Sequence, residues 1–506
     1  MIDARQFLIS QKQLSAPDFT TVRMADGYIL SYHREMQVYI HESFKALFLG
    51  TAWQTEMDRN DPVEEIDRLI ESYPEEIPEE EILLMEESWC GRYVLIVQGQ
   101  VYLDAAGLMG VFYGDGGISG SVRILAGVMG LEERIYQPSA DMNWLPGPLT
   151  QYNQIRRLLP GQIYNYRTRS VHGRQLLASR LPECGKEEDR IRIFTEYFSC
   201  SLKNMARAVP HKKILIALTG GYDSRTLLAL AVHAGIPFEC FTLGYENISA
   251  GDREIPEELC RIAHCRHTCI ERDSPSRSCH LDEEYALHTG GLADDGDKSF
   301  YAYGQYQELA RRFGALAVLR SSVWETATEY YMKIIGDDFE PERIYDYFNM
   351  KSGGLERASL EEYFQWVDRN KQQGINAANR FYWEQRAGSW MSSIEQSFDM
   401  MDGIISLQPV NSRLLLTLLL RFPKEERVIR THQLKIISFA CPELSNVRFG
   451  DSDRPAQAAF AYRKKIKLGI SRLHRLGLKK TIGIYVNAVR VKCLKKRLKK
   501  EKRRKA

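Results

Sequence analysis

The sequence predicts an α/β protein in which a strand-rich N-terminal region is followed by a region built on a parallel sheet with added helices. Residues 1–175 contain mainly short apolar runs separated by turn residues, a pattern typical of antiparallel strands. A polar stretch around residue 185 marks a boundary. Beyond it, apolar runs alternate with segments of helical spacing, which favours a parallel sheet covered on both faces. We therefore predict domains at residues 1–185 and 190–462, and a C-terminal tail at residues 463–506.

The N-terminal elements are predicted from alternation and from turn residues. Residues 91–104 indicate a hairpin, because two apolar runs flank the sequence Gln-Gly-Gln. Short strands are expected at residues 111–113 and 122–126. An alternating strand follows a Pro-Gly turn at residues 162–166.

The second region begins with helical spacing over residues 191–208, and a further helical stretch covers residues 225–233. Its predicted strands are short, uninterrupted apolar runs at residues 214–218, 238–243 and 315–319. From residue 285 onward the pattern is otherwise mainly helical.

Composition excludes several classes of protein. The chain has 506 residues, of which 44% are apolar and 26% charged, and these shares exclude a fibrous or largely disordered protein. No apolar run approaches the ~18 residues of a membrane span, and the first residues contain no apolar segment of a secretory signal. Ten cysteines without a regular framework suit a reducing compartment better than a disulfide scaffold. We therefore expect a cytoplasmic protein.

The net charge of +2 conceals a strong asymmetry. Residues 463–506 carry 19 lysines and arginines against one acid, whereas the rest of the chain carries 49 basic and 65 acidic side chains. A basic stretch with apolar residues at helical intervals can lie peripherally on an anionic membrane surface or bind an acidic partner. Counterion release offers nucleic acid as a third option, although we expect no specific nucleic-acid partner. A solvated end, or a tail folded onto the acidic residues 56–87, is the simpler interpretation.

The strongest chemical signal is a hexapeptide where a predicted strand passes into a predicted helix. It consists of Thr219, Gly220, Gly221, Tyr222, Asp223 and Ser224. Two glycines allow a tight turn and close approach of a ligand, and a helix start offers unpaired N–H groups to an anion. The two hydroxyls add donors, and Asp223 suits the Mg²⁺ that accompanies a polyphosphate. A strand–helix turn with an N-capping Ser or Asp is the simpler interpretation, but the full hexapeptide favours phosphate binding.

Residues 214–228 resemble the PP-loop of the ATP-pyrophosphatase superfamily, in which Ser-Gly-Gly-x-Asp-Ser follows a strand. The segment is not a Walker A loop, because it lacks Gly-Lys-Ser/Thr. Within that superfamily, residues 190–450 are most similar to the synthetase domain of the asparagine synthetase family. The resemblance implies a parallel-sheet domain of the adenine nucleotide alpha hydrolase-like type.

The resemblance also implies a reaction. ATP would be split between its α- and β-phosphates, a carboxylate would become an acyl-adenylate, and ammonia or an amine would displace AMP to give an amide. Mg²⁺ would be held by Asp223, and pyrophosphate by the loop. The residues assigned to the nucleotide are Leu218, Thr219, Gly220, Gly221, Tyr222, Ser224, Leu243 and Gly244.

The chain departs from the family pattern at two places. The family's second acidic loop reads Gly-x-Gly-x-Asp-Glu, and here Trp324 stands at the Asp position, so only Glu325 remains as a second metal ligand. The family's C-terminal Arg-x-Lys is matched by Arg448 without its lysine. Lys435 is a candidate substitute, although a solvated helix lysine is the simpler interpretation. We therefore predict Asp223, Glu325 and Arg448 as catalytic residues.

The N-terminal region resembles the class II glutaminase (Ntn-type) domain that precedes the synthetase in this family, on residues 91–97, 104–107 followed by 112–113, and 158–161. An active glutaminase of this class uses an N-terminal cysteine activated by its own amino group. Here Ile2 follows the initiator, and the first cysteine is Cys90. We therefore expect a degenerate domain without glutaminase activity.

Thiols and imidazoles crowd one later segment. They are Cys260, His264, Cys265, His267, Cys269, Cys279 and His280. Zinc takes such ligands, but the spacing fits no standard Cys-x₂-Cys pair. We therefore prefer a buried helix with incidental thiols.

The resemblance thus implies an ATP-dependent, AMP-forming carbon–nitrogen ligase. Its partners would be a small-molecule or peptide carboxylate and an amine or ammonia, with ATP and Mg²⁺ as cofactors. The alternative is a catalytically lapsed nucleotide-binding or scaffold protein, which Trp324 and the missing lysine favour and the intact hexapeptide opposes.

Overall fold

The computed structural model describes residues 4–14, 16–56, 61–183, 185–244, 250–271, 292, 297–336 and 339–450. The basic tail, Ile2, Cys279 and His280 therefore lie outside the described residues. Among the helices that are described, none combines the length and apolar character needed to cross a membrane.

Two antiparallel six-stranded sheets form the N-terminal region. Their strand orders are β10-β8-β9-β1-β3-β2 and β12-β11-β7-β6-β5-β4. The strands are β1 Phe7–Ser10, β2 Phe19–Arg23, β3 Ile29–His33, β4 Val38–Ile40, β5 Ala46–Gln54, β6 Trp89–Val97, β7 Gln100–Leu103, β8 Phe112–Gly114, β9 Gly117–Ser119, β10 Ile155–Arg157, β11 Gln162–Asn165 and β12 Ser170–Gly173.

The two sheets pack face to face. One buried apolar cluster contains Phe7 and Leu30 from the first sheet with Leu47 and Val94 from the second. Helices cover the outer faces, and they are α1 Pro62–Ser72, α2 Glu79–Glu86 and α3 Val122–Val128. The result is a four-layer sandwich of helix, sheet, sheet and helix.

The hairpin predicted at residues 91–104 is confirmed. Val97 pairs with Gln100 across a two-residue turn. Gln98 and Gly99 both have positive φ, at 51° and 87°, which the tight turns that match strand twist require.

The strand predicted at residues 122–126 is wrong, because these residues form α3. The side chain of Ser121 caps this helix by accepting from the backbone N–H of Ile124 at 3.4 Å. Periodicity alone does not separate a short apolar strand from a buried helix turn.

A five-stranded parallel sheet organises the second region, with the order β15-β14-β13-β16-β17. Its strands are β13 Lys213–Ala217, β14 Glu239–Leu243, β15 His267–Ile270, β16 Leu316–Leu319 and β17 Ile404–Leu407. The predicted fold class is therefore confirmed, with antiparallel sheets followed by a parallel one. Sequence reasoning found β13, β14 and β16 and missed the two edge strands.

Helices surround this sheet. They are α4 Glu187–Ala208, α5 Tyr222–Ala234, α6 Ala250–Ile262, α7 Asp297–Phe313, α8 Tyr330–Ile335, α9 Pro341–Tyr347, α10 Leu355–Arg369, α11 Ala377–Phe381, α12 Ser392–Asp399, α13 Arg413–Leu420, α14 Lys424–Ile429 and α15 Thr431–Ala440. Two 3₁₀ turns, Ser322–Ala327 and Pro442–Asn446, and a π-helical segment, Tyr382–Met391, complete the described elements.

Buried polar contacts join the two regions. Asn411, which follows β17, donates to the carbonyl of Gly91 at 2.6 Å and to Asp104 at 2.8 Å, and it accepts from the N–H of Ala106 at 2.9 Å. Removing such a side chain would leave several buried groups unpaired, so the N-terminal region is an integral part of the structure.

Candidate functional site

The predicted phosphate loop lies between β13 and α5, at the carboxyl edge of the parallel sheet. Its two hydroxyls bond to one another and to the backbone: Ser224 Oγ is 3.0 Å from Thr219 Oγ1 and accepts from the N–H of Thr219 at 3.1 Å. Gly221 donates its N–H to Thr219 Oγ1 at 3.3 Å. Ser224 is buried, so it shapes the loop from beneath, whereas Thr219 is exposed.

The start of α5 is open to a ligand. Gly221 is the N-cap, and no side chain of the described residues caps this 13-residue helix. Within the part of the chain that the structure describes, a Cβ added to Gly221 would meet only Thr219 Oγ1, at 3.4 Å. Because the first-turn N–H groups of a helix attract negative charge, this open face suits a phosphate group.

Asp223 and Glu325, the two predicted metal ligands, are brought together by a residue that sequence reasoning missed. Arg430 donates from Nη1 to Asp223 Oδ1 at 2.6 Å and from Nη2 to Glu325 Oε1. Gln433 donates to the same Asp223 oxygen at 2.7 Å, and Thr328 donates to Glu325 Oε2 at 2.8 Å. Elements remote in sequence thus meet at the start of α5.

The charges of this cluster shift one another's pKa values. Burial raises the pKa of Asp223 to about 6, with Arg430 lowering it and the Glu325 charge adding to the rise. Burial also acts to raise the pKa of Glu325, but Arg430 and Lys333 outweigh it, and the net pKa is lowered. Glu325 is therefore ionised at neutral pH, whereas the carboxyl group of Asp223 titrates close to neutral pH.

Arg430 is placed by an unusual backbone conformation. Its φ is +62°, in the left-handed region, and it both ends α14 and precedes the first residue of α15. Such a conformation is uncommon for a residue with a Cβ. No local signal in the sequence predicts it, which is why the residue was missed.

An aromatic stack lies on one side of the phosphate loop. The rings of Tyr222 and Phe449 stack at 4.1 Å, and the guanidinium of Arg225 lies 3.7 Å from the centre of the Phe449 ring. Arg225 also donates to the carbonyls of Val447 and Arg448, both at 2.6 Å. The chain after the last 3₁₀ turn is thereby held against the phosphate loop.

Arg448 is the predicted catalytic residue that the structure places differently. Its guanidinium pairs with Glu254 of α6 at 2.7 Å, and half of its side chain is exposed. Lys435, the candidate substitute for the missing lysine, pairs with Glu187 and with Glu426, the latter at 2.8 Å. Among the cations of the described residues, Arg430 is the one that bonds to both acids.

The residues predicted to contact the nucleotide through their backbone are already bonded within the sheet. Leu218 donates its N–H to Phe241 at 2.8 Å, and Gly244 donates to Ile270 at 2.8 Å. The carbonyl of Gly244 accepts from the side chain of Gln305 at 2.8 Å. Leu243 is the last residue of β14 and directly precedes Gly244. These positions therefore form a rigid edge beside the loop.

Trp324 does not face the site. It is 1% exposed, and its ring packs 5.6 Å from Phe194 and 5.5 Å from Phe198, both on α4. Its neighbour Glu325 points the other way, towards Arg430. The side chain of Trp324 is therefore part of the packed core.

The donor set at this cluster fits Mg²⁺. Oxygen ligands from two carboxylates, completed by phosphate oxygens and water, are what this ion takes. Both protein hydrogen bonds to Asp223 end on Oδ1, and Oδ2 receives none from a described residue. An ion at this position would share Asp223 and Glu325 with Arg430.

Comparisons with known proteins give only distant likenesses. No family model matches the chain, and no curated protein matches it. Among solved structures, the NMN synthetase from Francisella tularensis is 15% identical, over 40% of this chain and 93% of its own, with a TM-score of 0.21. The NH3-dependent NAD synthetase from Campylobacter jejuni subsp. jejuni is 13% identical over 38% of this chain and 91% of its own, with a TM-score of 0.22.

A third likeness is to the glutamine-dependent NAD+ synthetase from Acinetobacter baumannii in complex with ADP. It is 12% identical over 43% of this chain and 49% of its own, with a TM-score of 0.20. Such values carry no argument about activity, so the function proposed below rests on the loop and its surroundings.

Proposed function

We propose that this protein is an asparagine synthetase-like ligase that uses ATP to activate a carboxylate as an acyl-adenylate and joins it to ammonia or an amine. The observation that carries the proposal is the open phosphate loop at the start of α5, with Asp223, Glu325 and Arg430 converging beside it. A loop that served only to connect β13 with α5 would need neither two acids nor a cation at its ligand-facing side.

Each part of the site has a role in this proposal. The N–H groups of the first turn of α5 hold the pyrophosphate part of ATP, because they are directed at the open face, whereas the N–H of Gly221 bonds to Thr219 Oγ1 and shapes the loop. Arg430 places positive charge where negative charge develops as the bond between the α- and β-phosphates breaks. AMP is then a good leaving group, and the attacking amine displaces it to give the amide.

Mg²⁺ would be held by Asp223 and Glu325 and would supply charge neutralisation for the polyphosphate. The ionised Glu325 keeps Arg430 oriented, since it accepts from Nη2 while Asp223 accepts from Nη1. Tyr222 and Phe449 shield one side of the loop from water. A dependence on ATP also supports a cytoplasmic location for the protein.

The nitrogen donor is proposed to be free ammonia or an amine rather than glutamine. Cys90, the first cysteine, is fully buried, its Sγ lies 3.2 Å from the carbonyl of Pro409, and burial raises the pKa of its thiol. A buried, protonated thiol is a poor nucleophile. We therefore expect purified protein to form no glutamate from glutamine, with or without ATP.

The test is ATP–pyrophosphate exchange by the full chain with a panel of small-molecule and peptide carboxylates, together with identification of the nucleotide product. We expect Mg²⁺-dependent exchange and AMP, with Asp223→Asn losing both. Asp402→Asn is the matched control, because Asp402 is exposed just before β17, at the amino edge of the sheet. Formation of ADP, or unchanged exchange in Asp223→Asn, would refute the proposal.

A second candidate, a lapsed protein that binds nucleotide without turnover, is favoured by one observation. Arg430 bonds to both acids, so each carboxylate already has a positive partner within the protein. Tight binding of Mg-ATP without exchange, for every carboxylate in the panel, would support this candidate over the ligase.

A further inference from the structure

Three cysteine thiols meet at the amino edge of the parallel sheet, away from the proposed ATP site. They belong to Cys240 on β14, Cys260 near the end of α6, and Cys265 in the turn before β15. Their sulfur atoms all lie within 4.8 Å of one another, and those of Cys240 and Cys265 are 3.8 Å apart. Cys240 is 20 residues upstream of the segment that sequence reasoning examined for zinc, so this set was not considered.

We propose that Cys240, Cys260 and Cys265 form a three-thiolate site for one Zn²⁺ ion. Zinc–sulfur bonds of ~2.3 Å at tetrahedral angles place two sulfur atoms ~3.8 Å apart, which matches the separation of Cys240 and Cys265. Sulfur atoms this close suit a single ion. A disulfide would instead need an S–S distance of ~2.05 Å.

The backbone holds the three thiols in place without the ion. Cys265 donates its N–H to the carbonyl of Cys260 at 3.0 Å, which closes the turn after α6. Cys240 donates its N–H to the carbonyl of Arg266 at 2.8 Å, so the strand is fixed to the same turn. His264, within the turn, has a φ of +52°. A preformed set of ligands avoids part of the ordering cost of binding.

The neighbouring candidate ligands have other contacts. His267 pairs with Cys240 in the sheet register, and its Nε2 lies 2.9 Å from Thr242 Oγ1. Cys269 lies 3.5 Å from a carboxylate oxygen of Glu271. Cys265 is half-buried, so a water molecule can reach the fourth position of the ion.

The position of the site indicates a structural role. Cys240 is the second residue of β14 and Gly244 directly follows this strand, so the two are about 13 Å apart at ~3.3 Å per residue. An ion bound by Cys260 would fix the end of α6 to the sheet, and the other end of α6 carries Glu254, which pairs with Arg448 beside the phosphate loop. Zinc at this position would therefore stabilise α6 without touching ATP.

The test is metal binding by the reduced, full-length protein. Metal content after purification is measured by mass spectrometry, and Co²⁺ is titrated into metal-free protein while its thiolate charge-transfer absorption is followed. We expect one ion per chain, with binding weakened more than ~10-fold in Cys265→Ser and unchanged in Cys269→Ser. Circular dichroism establishes that each variant is folded.

Since a buried serine can prevent folding, a second measurement uses the unaltered chain. Zn²⁺ should protect Cys265, identified by peptide mapping, from a maleimide reagent, since Cys240 and Cys260 are each only 1% exposed. The absence of stoichiometric binding, equal binding by Cys265→Ser, or protection of other cysteines would overturn the proposal. So would a Cys240–Cys265 disulfide that persists in reductant in place of the ion.

Discussion

Arg430 donates a 2.6 Å hydrogen bond from Nη1 to Oδ1 of Asp223, a residue 207 positions earlier in the chain, while its other terminal nitrogen bonds to Glu325. One guanidinium thus lies between the two carboxylates that would otherwise repel one another. The same two carboxylates are the ligands proposed for Mg²⁺. An ion bound at this site would therefore share both carboxylates with Arg430.

Replacing Arg430 should change how the fold responds to Mg²⁺. Arg430→Met leaves two adjacent, largely buried carboxylates without their cation, so we expect a loss of about 1–3 kcal/mol in the free energy of unfolding. Millimolar Mg²⁺ should restore part of that loss in the variant and have less effect on the unaltered protein, where Arg430 already occupies the acids. Urea unfolding with and without Mg²⁺ measures both effects.

The control for this experiment is Arg311→Met. Arg311 is 73% exposed and pairs with Glu308 on the surface of α7, where an ion pair contributes little. If Mg²⁺ stabilised both variants equally, the two acids would not be its binding site.

The pKa of Asp223 predicts a pH dependence. Burial, with the nearby Glu325 charge, raises this pKa to about 6 against the effect of Arg430, so the carboxylate is protonated below that pH. Affinity for Mg-ATP should therefore fall as the pH is lowered through about 6, because a protonated carboxyl is a poor Mg²⁺ ligand. Titration calorimetry at a series of pH values measures this, and an affinity that is flat between pH 5 and pH 7 would contradict it.

The raised pKa of Asp223 also affects stability, and this effect has the opposite dependence on pH. Because the folded state holds this proton more tightly than the unfolded chain, the contribution of Asp223 to stability decreases as pH rises from about 4 to about 6. Asp223→Asn should remove that decrease. Denaturant unfolding of both proteins across this range gives the comparison.

Some features of the site can be predicted from the sequence and others cannot. The strand, glycine turn and helix around Asp223 are local, so residue types and spacing predict them well. Arg430 and Cys240 act through contacts made across the chain, and a left-handed arginine or a thiol on a strand has no local signature. The family motif identifies Arg448 in the sequence. The motif does not include Glu254, and the ion pair with Glu254 determines where the Arg448 side chain lies.

An acid introduced at position 324 should not supply a metal ligand. Trp324 is buried against α4, so Trp324→Asp places an unpaired charge in the core and should cost about 3–5 kcal/mol of stability. Trp324→Phe should cost less, since the Trp324 Nε1 bonds to no described residue and a ring still fills most of the space. Chemical denaturation compares the two, and a stable Trp324→Asp protein with tighter Mg²⁺ binding would show that this loop can turn outward.

The basic tail should bind anionic membranes in a salt-dependent way. Its 19 cations act over a Debye length of only ~8 Å at physiological salt, at ~1 kcal/mol for each residue near the surface. Sedimentation with liposomes rich in phosphatidylserine should show binding that weakens steeply with salt. Removal of residues 463–506 should abolish binding and leave ATP–pyrophosphate exchange intact. Equal sedimentation of the truncated and full-length chains would contradict a membrane role.

Phe449 should control the shape of the phosphate loop although it is distant from it in sequence. Its ring lies between Tyr222 and Arg225, and the N–H of Gly450 donates to the carbonyl of Gly220 at 3.2 Å. Phe449→Ala removes both ring contacts, so the first turn of α5 loses its support, and we expect Mg-ATP affinity to fall about tenfold, equivalent to ~1.4 kcal/mol.

The matched control is Phe439→Ala, because Phe439 lies on α15 and is 47% exposed. Phe449→Leu provides a second comparison, since an aliphatic side chain fills space but does not stack on Tyr222. Its affinity for Mg-ATP should lie between those of the alanine variant and the unaltered protein if stacking positions the loop. An affinity equal to that of the unaltered protein in Phe449→Ala would mean that the loop holds its shape through Thr219 and Ser224 alone.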